Sequence, residues 1–262
     1  TATVVKHTGS HYLLAQLPSW RLFPAVLRGK VRLGGSSATN PVAVGDRVEF
    51  HADGDLFPDG SVPASETAPA AITRILQRRN YIIRKSVNLS RQAHIIAANV
   101  DHAFIVVTLA FPEVKFPFID RLLVTCEVYG VKPVIVLNKI DIVDEFRDDF
   151  APALENFHRI YEGAGYSILE VSAKTGRGVD ELRRLCLEKS EDGAPGISLF
   201  SGVSGVGKSS LIKAMDPSLN PKTGLISEAH LQGRHTTTFY EMYPLCGGEG
   251  CIIDTPGIRG FG

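Results

Sequence analysis

The stretch I-S-L-F-S-G-V-S-G-V-G-K-S-S-L-I-K-A-M at residues 197–215 decides the fold of the larger part of this chain. An apolar run of strand type leads into the pattern G-x-x-x-x-G-K-S, and a helical run follows it. In that context the glycines let successive backbone N–H groups surround phosphates, the lysine reaches the terminal phosphates, and the next serine ligates Mg²⁺. We therefore predict a nucleotide-binding loop formed by Gly202, Val203, Ser204, Gly205, Val206, Gly207, Lys208, Ser209 and Ser210, with Ser209 as a metal ligand.

Outward from this loop, apolar segments of strand length alternate with amphipathic segments, which predicts a mostly parallel sheet covered by helices. The expected strands are residues 102–109, 133–138, 168–172, 197–202 and 251–254, and the expected helices are residues 117–129, 144–161, 178–189 and 207–215. Residues 1–72 instead show short apolar runs broken by turn signals, which predicts a small all-β domain. The chain is thus divided into residues 1–72, a basic linker or domain start at 73–100, and an α/β domain at 101–262.

A second motif specifies the base. N-K-I-D at residues 138–141 follows an expected strand directly, and an Asp there accepts hydrogen bonds from guanine N1–H and the N2 amine, which adenine lacks. Losing such bonds in a closed site costs ~10⁴–10⁵ in discrimination. S-A-K at residues 172–174 ends the next strand and would supply backbone N–H groups to the guanine oxygen. The predicted base-binding residues are Asn138, Lys139, Ile140, Asp141, Ser172, Ala173 and Lys174.

A third motif, D-T-P-G at residues 254–257, completes the set for GTP or GDP with Mg²⁺. Asp254 would reach the metal through water, and the Gly257 N–H would sense the γ-phosphate. Thr237 is the expected switch threonine on Mg²⁺, with Thr236 and Thr238 as open alternatives. The order is unusual, because the base motifs precede the phosphate loop.

This permuted order, behind a β domain, resembles one family: the circularly permuted GTPases of small ribosomal subunit biogenesis, RsgA or YjeQ. Further matching segments are N-V-D-H-A at 99–103, F-I-D-R-L-L at 118–123, G-R-H-T-T-T at 233–238 and D-T-P-G-I-R-G-F-G at 254–262. The resemblance implies an oligonucleotide-binding (OB) barrel before a P-loop GTPase domain, and GTP hydrolysis stimulated by the small ribosomal subunit during its late maturation. It also implies Zn²⁺, but only in a C-terminal module that lies beyond this sequence.

The residue after Gly257 is Ile258, which cannot orient water as the glutamine of many GTPases does. Slow intrinsic hydrolysis is therefore expected. His235, in the segment where a switch loop belongs, is the candidate catalytic residue; the alternative is a surface histidine in a polar loop.

Charge is unevenly distributed along the chain. The 28 basic and 28 acidic residues cancel, yet the first 100 residues contain 12 basic and 6 acidic residues. No acid occurs in residues 67–100, which predicts contacts to ribosomal RNA phosphates; a solvated linker is the alternative. The candidate RNA-binding residues are Arg74, Arg78, Arg79, Arg84, Lys85 and Arg91.

Several classes are disfavoured. No apolar stretch approaches the roughly 20 residues that span a bilayer, so no membrane association is expected. Four cysteines do not indicate a disulfide framework, and C-x₄-C at 246–251 offers only two of the four ligands that structural zinc needs. A cytoplasmic monomer is expected. A GTP-dependent RNA-binding switch with negligible turnover stays open as a function, whereas N-K-I-D with S-A-K disfavours a nucleotide kinase.

Overall fold

The computed structural model describes residues 1–8, 10–28, 42–85, 93–219 and 240–254. Within these ranges the strands are Ala2–Thr8 (β1), His11–Gln16 (β2), Arg21–Leu27 (β3), Arg47–His51 (β4), Ala70–Ile75 (β5), Tyr81–Lys85 (β6), Ala93–Ala98 (β7), His102–Val107 (β8), Lys132–Leu137 (β9), Ile168–Glu170 (β10), Ile197–Ser201 (β11), Glu241–Leu245 (β12) and Gly250–Asp254 (β13). The helices in the same ranges are Phe116–Tyr129 (α1), Ile140–Glu145 (α2), Arg147–Gly163 (α3), Val179–Cys186 (α4) and Lys208–Met215 (α5).

The first five strands close into a small barrel. β1 pairs with β2, β2 with β3, β3 with β5, β5 with β4 and β4 with β1, so each strand has a neighbour on both sides. Apolar side chains fill its interior, among them Val4, Leu14, Phe23, Val48 and Ile72, each at most 3% exposed. The predicted barrel domain is confirmed, and five strands are the number typical of an OB-type barrel.

The second part of the chain is built on a parallel sheet with the strand order β10-β9-β8-β11-β13, and β12 lies antiparallel beside β13. Every residue of β8 and β11 is buried, which explains why continuous apolar runs predicted these strands. β12 is not among the predicted strands because its sequence, E-M-Y-P-L, contains a proline, which argues against a strand.

The helices begin and end where local chemistry allows. α1 has a proline in its first turn, where a missing N–H costs nothing, and it ends at Gly130, whose φ of +67° suits a left-handed cap. The helix predicted at residues 144–161 is two helices, α2 and α3, which meet at Phe146. No helix in the described ranges combines the length and the apolar character needed to cross a bilayer.

The two parts are joined by a continuous sheet and by a hairpin. β12 pairs with β1, with Glu241 opposite Lys6. Residues 73–100, predicted as a basic linker or domain start, contain the end of β5 and the antiparallel hairpin β6–β7. Ile82 and Ile96 of this hairpin are buried in the same apolar core as the parallel sheet. The described part of this segment therefore packs against the core, and the last barrel strand runs three residues beyond position 72.

Candidate nucleotide-binding site

The predicted motifs converge at one edge of the parallel sheet. N-K-I-D follows β9, S-A-K lies shortly after β10, the phosphate loop follows β11, and Asp254 ends β13. The carboxyl ends of parallel strands share one edge, which is where open α/β sheets bind ligands. The structure thus brings together four segments that are far apart in sequence.

The phosphate loop takes a path that only its glycines permit. Gly207 has a φ of +94°, and a Cβ there would lie 2.4 Å from Nδ2 of Asn138. A Cβ on Gly202 would lie 2.4 Å from the carbonyl oxygen of Val106. Because these positions are left without side chains, the loop approaches both β8 and the base-reading motif closely.

Lys208 is buried at the first position of α5 and folds back over the phosphate loop. Its Nζ donates hydrogen bonds to the carbonyl oxygens of Gly202 at 2.8 Å and Val203 at 3.4 Å. Burial lowers the pKa of this lysine, and the nearby Asp254 carboxylate opposes that shift. An anionic phosphate is a stronger partner for an ammonium group than a carbonyl, so Lys208 is placed to bind phosphate.

Asp254 carries the chemistry expected of a magnesium ligand. It is 5% exposed, and in the described part of the chain its Oδ1 has no hydrogen-bond partner. Burial raises its pKa to about 6, with Lys208 acting in the opposite direction. Mg²⁺ prefers oxygen ligands and retains several waters, and Ser209 supplies a hydroxyl in the first turn of α5. The donor set therefore fits Mg²⁺ held by Ser209 directly and by Asp254 through water.

Asn138 ties the three nucleotide-facing loops together. Its Nδ2 donates to the carbonyl oxygen of Val206 at 2.7 Å, and its Oδ1 accepts from the Ala173 N–H at 3.3 Å. The bond to Val206 is the kind of contact predicted for Asn138, between the base loop and the phosphate loop. Backbone N–H groups of S-A-K were predicted to face the guanine oxygen. In the structure the Ala173 N–H donates to Asn138 Oδ1 at 3.3 Å, so a guanine oxygen would accept from an N–H that already has a partner.

Asp141 lies in the first turn of α2, with its side chain 14% exposed. Its Oδ1 accepts from the Ser172 hydroxyl at 2.7 Å, and its Oδ2 lies 3.7 Å from Nζ of Lys174. Ile140 points into the core instead, and its N–H donates to the carbonyl of Val171. S-A-K therefore positions the Asp141 carboxylate.

The loop after β8 also contacts the predicted site, although none of its residues was among the predicted site residues. β8 lies between β9 and β11, so this loop runs between the base motif and the phosphate loop. Lys139 Nζ donates to the carbonyl oxygen of Phe111, and Pro112 lies 3.4 Å from where a Cβ of Gly205 would be. The Phe111 side chain itself is 72% exposed. The only sequence signal for this loop was that it follows a predicted strand, because the central place of β8 is known only from the fold.

Known proteins share this arrangement. A model of the RsgA GTPase family matches residues 75–262. The chain belongs to the RsgA GTPase family. The small ribosomal subunit biogenesis GTPase RsgA of Flavobacterium johnsoniae is 44% identical over 262 residues, which cover 100% of this chain and 74% of that relative. The protein of the same name from Porphyromonas gingivalis is also 44% identical over 262 residues, covering 99% of this chain and 76% of that relative.

Solved structures agree with this RsgA assignment. The crystal structure of YjeQ from Thermotoga maritima matches with a TM-score of 0.68 and 31% identity over 98% of this chain and 74% of that one. YloQ, described as a circularly permuted GTPase, matches with a TM-score of 0.61 and 21% identity over 100% of this chain and 72% of that one, which shows a shared fold. The predicted family, the permuted α/β fold and the assignment as a GTPase are confirmed.

Some of the predicted RsgA-type site residues cannot be placed. His235, Thr237 and its alternatives, Gly257 and Arg91 lie outside the described residues. Arg84 and Lys85 lie on β6, but their side chains are likewise outside what the structure describes.

The predicted RNA-binding arginines separate into different classes. Arg78 is only 10% exposed, and its guanidinium forms two 2.6 Å bonds to the fully buried Asp46 carboxylate. The prediction that Arg78 contacts RNA is corrected, because its charge is buried and paired within the protein. Arg79 is 36% exposed but bonds Asp101 at 2.8 Å. Arg74 remains 69% exposed, 3.6 Å from Glu49.

Cys246 and Cys251 do not belong to a metal-binding cluster within the described residues. No group of three or more His, Cys, Asp or Glu side chains there is arranged to hold a metal ion. Cys251 is buried and Cys246 partly buried, and both are free thiols.

Proposed function

We propose that this chain hydrolyses GTP to GDP and phosphate with Mg²⁺, that the small ribosomal subunit stimulates the reaction, and that it acts in the late maturation of that subunit. One observation carries the nucleotide part. The partly buried Asp141 carboxylate, held by Ser172, lies at the same sheet edge as the phosphate loop. The names of the relatives support the small subunit as the place of action.

Guanine is recognised at the β9 and β10 ends of the sheet. Asp141 accepts from guanine N1–H and N2, and the stem of Lys139 lies along the base. Ser172, Ala173 and Lys174 form the neighbouring wall. Adenine would offer Asp141 neither of the two N–H donors that guanine offers, at a position that is only 14% exposed, which is costly.

The phosphates and the metal bind at the β11 and β13 ends. Backbone N–H groups of residues 202–210 and the Lys208 ammonium neutralise phosphate charge. When bound, Mg²⁺ would neutralise further charge between the β- and γ-phosphates. Ser209, Thr237 and, through water, Asp254 would hold it, and the Gly257 N–H would sense the γ-phosphate.

Hydrolysis requires a group that orients water, and Ile258 cannot supply one. We assign that function to His235, acting when the chain is bound to the small subunit. An imidazole can orient a water molecule and accept a proton from it near neutral pH.

Ribosomal RNA is engaged through the basic region around residues 74–91. Arg74, Arg84, Lys85 and Arg91 are the proposed phosphate contacts, with Arg79 as a residue that also bridges to Asp101. Arg78 is not among them. We propose that the chain acts as a monomer in the cytoplasm, where small subunits mature.

Phosphate release from GTP tests the proposal most simply. It is measured at saturating GTP and Mg²⁺ with no ribosomal particles, with purified small subunits, or with large subunits as the control. We expect stimulation by small subunits alone, up to ~10³-fold, the lower end of what an added transition-state group contributes. Turnover without stimulation would overturn the proposed function, and GTP binding with negligible turnover in all three conditions would favour the RNA-binding switch.

His235→Ala is expected to keep its nucleotide affinity and its slow basal rate of turnover. It should lose most of the stimulation by small subunits. The reason is that the histidine orients water but does not hold the nucleotide. Affinity is measured by displacement of a fluorescent GDP analogue, and turnover as above. His230→Ala, in the same segment, is the matched control. Stimulation equal to the unsubstituted chain would remove His235 from the mechanism.

A further inference from the structure

Arg177 joins two elements on the base-reading side of the site. It lies in the segment between β10 and α4, and its guanidinium bridges two carboxylates. Nη1 donates to Asp144 Oδ2 at 2.6 Å, and Nη2 donates to Glu170 Oε2 at 2.6 Å. Asp144 belongs to α2 and Glu170 ends β10, so the guanidinium connects α2 to the strand that leads into S-A-K.

These bonds form part of a closed ring that contains Asp141. Asp144 lies one helical turn after Asp141 on α2. Asp141 accepts from the Ser172 hydroxyl at 2.7 Å, and the Ser172 N–H donates to the carbonyl oxygen of Arg177 at 2.9 Å. The side chain of Arg177 then returns to α2 through Asp144. The ring fixes α2 against the S-A-K loop at two points.

Glu170 is itself held on both oxygens, which makes it a fixed anchor. While Arg177 bonds Oε2, His158 Nε2 lies 3.0 Å from Oε1. His158 is on α3, and its Nδ1 lies 3.1 Å from Glu162 one turn later. The network therefore reaches from α2 across the loop and β10 to α3.

Stability alone does not account for this arrangement. The Arg177 side chain is 49% exposed, and ion pairs at that exposure contribute little to folding. Geometry is different, because hydrogen bonds weaken steeply when donor and acceptor are misaligned. A planar guanidinium with two fixed partners restricts the rotation of α2, and with it the direction of the Asp141 carboxylate.

We infer that Arg177 is a positioning residue for guanine recognition: it holds α2 so that Asp141 faces the N1–H and N2 amine of the base. This inference rests on the proposed role of Asp141. Arg177 does not touch the nucleotide, and its influence passes through Asp144 and Ser172.

The test compares GDP with IDP, whose base lacks the N2 amine that Asp141 would bind. The affinity ratio of the two nucleotides reports that one hydrogen bond. For the unsubstituted chain we expect GDP to bind at least ~10-fold more tightly, the value of a hydrogen bond to a charged group. Arg177→Ala is expected to lower this ratio about threefold or more, with Arg177→Lys intermediate because an ammonium cannot reproduce the fork.

The matched control is Arg184→Ala. Arg184 is 59% exposed and bonds two carboxylates, Glu181 at 2.7 Å and Glu188 at 3.1 Å, on and just after α4. It should leave the GDP-to-IDP ratio unchanged. Glu170→Gln serves as a second variant of the anchor should Arg177→Ala fold poorly, as judged by thermal unfolding.

The outcomes separate the two claims. If the unsubstituted chain does not prefer GDP to IDP, the role of Asp141 fails. If it does and Arg177→Ala retains the full ratio, or loses affinity for both nucleotides equally, the inference about Arg177 is overturned. A reduced ratio in Arg177→Ala with an unchanged ratio in Arg184→Ala supports it.

Discussion

Asp141→Asn is expected to exchange guanine specificity for xanthine specificity. Xanthine has a carbonyl oxygen where guanine has the N2 amine, so an asparagine amide can donate where the aspartate accepts. The residue is only 14% exposed, and an unmatched polar pair there has little access to water as an alternative partner. We expect GTP affinity to fall by ~10³-fold or more and XTP to become the better ligand, since designed hydrogen bonds in closed sites discriminate by up to ~10⁵.

Competition binding with GDP and XDP measures this exchange directly. Asp148→Asn is the matched control, because Asp148 is an exposed acid in the first turn of α3 rather than of α2. It should leave both affinities as they are. Retention of GDP affinity in Asp141→Asn, with no gain for XDP, would contradict the assignment of the base-reading carboxylate.

Arg78→Ala is expected to lower the free energy of unfolding by about 3–5 kcal/mol, the usual cost of removing one partner from a buried ion pair. Asp46 is fully buried, and two 2.6 Å bonds from Arg78 and one 2.8 Å bond from the Ala43 N–H hold its carboxylate. Without Arg78 the carboxylate keeps its burial but loses its counter-charge. The effect is measured by urea unfolding, as a lower midpoint concentration with an unchanged dependence of the unfolding free energy on urea.

Two further measurements sharpen this prediction. Arg74→Ala is the control, because Arg74 is 69% exposed, 3.6 Å from Glu49, and such pairs contribute about 0–1 kcal/mol. Burial raises the pKa of Asp46 and Arg78 opposes that shift, so in Arg78→Ala only the hydrogen bond from the Ala43 N–H still opposes it. The destabilisation should therefore be present at neutral pH and decrease as acid protonates the carboxyl. Equal losses for Arg78→Ala and Arg74→Ala would contradict the structural role.

The local parts of the site were predictable from sequence because each motif carries its own chemistry. The phosphate loop is specified by glycines that must be left without side chains, and N-K-I-D and S-A-K each follow a predicted strand. What escaped prediction depends on partners far away in the chain. Arg78 and Arg74 look alike as basic residues, and only the fold places a buried carboxylate beside Arg78. The fold alone brings the Phe111 carbonyl to Lys139 and the Arg177 guanidinium to Asp144 and Glu170, and sequence periodicity does not reveal these contacts.

The same distinction explains the errors in the elements. α2 begins inside N-K-I-D, where the polar motif resembles a turn and conceals the first helical residues. β12 was missed because of its proline. The hairpin β6–β7 lies in residues 73–100, which were predicted as a basic linker or domain start without strands; Ile82 and Ile96 of this hairpin supply core side chains.

The most direct test of the central claim is a crystal structure of the chain with GDP and Mg²⁺. The claim is that residues from three permuted motifs form one guanine-nucleotide site at the carboxyl edge of the sheet. We expect both Asp141 carboxylate oxygens within about 3 Å of guanine N1 and N2, phosphates at the backbone N–H groups of residues 202–210, and Mg²⁺ on the Ser209 hydroxyl. A base bound away from Asp141, or phosphates away from that loop, would contradict it.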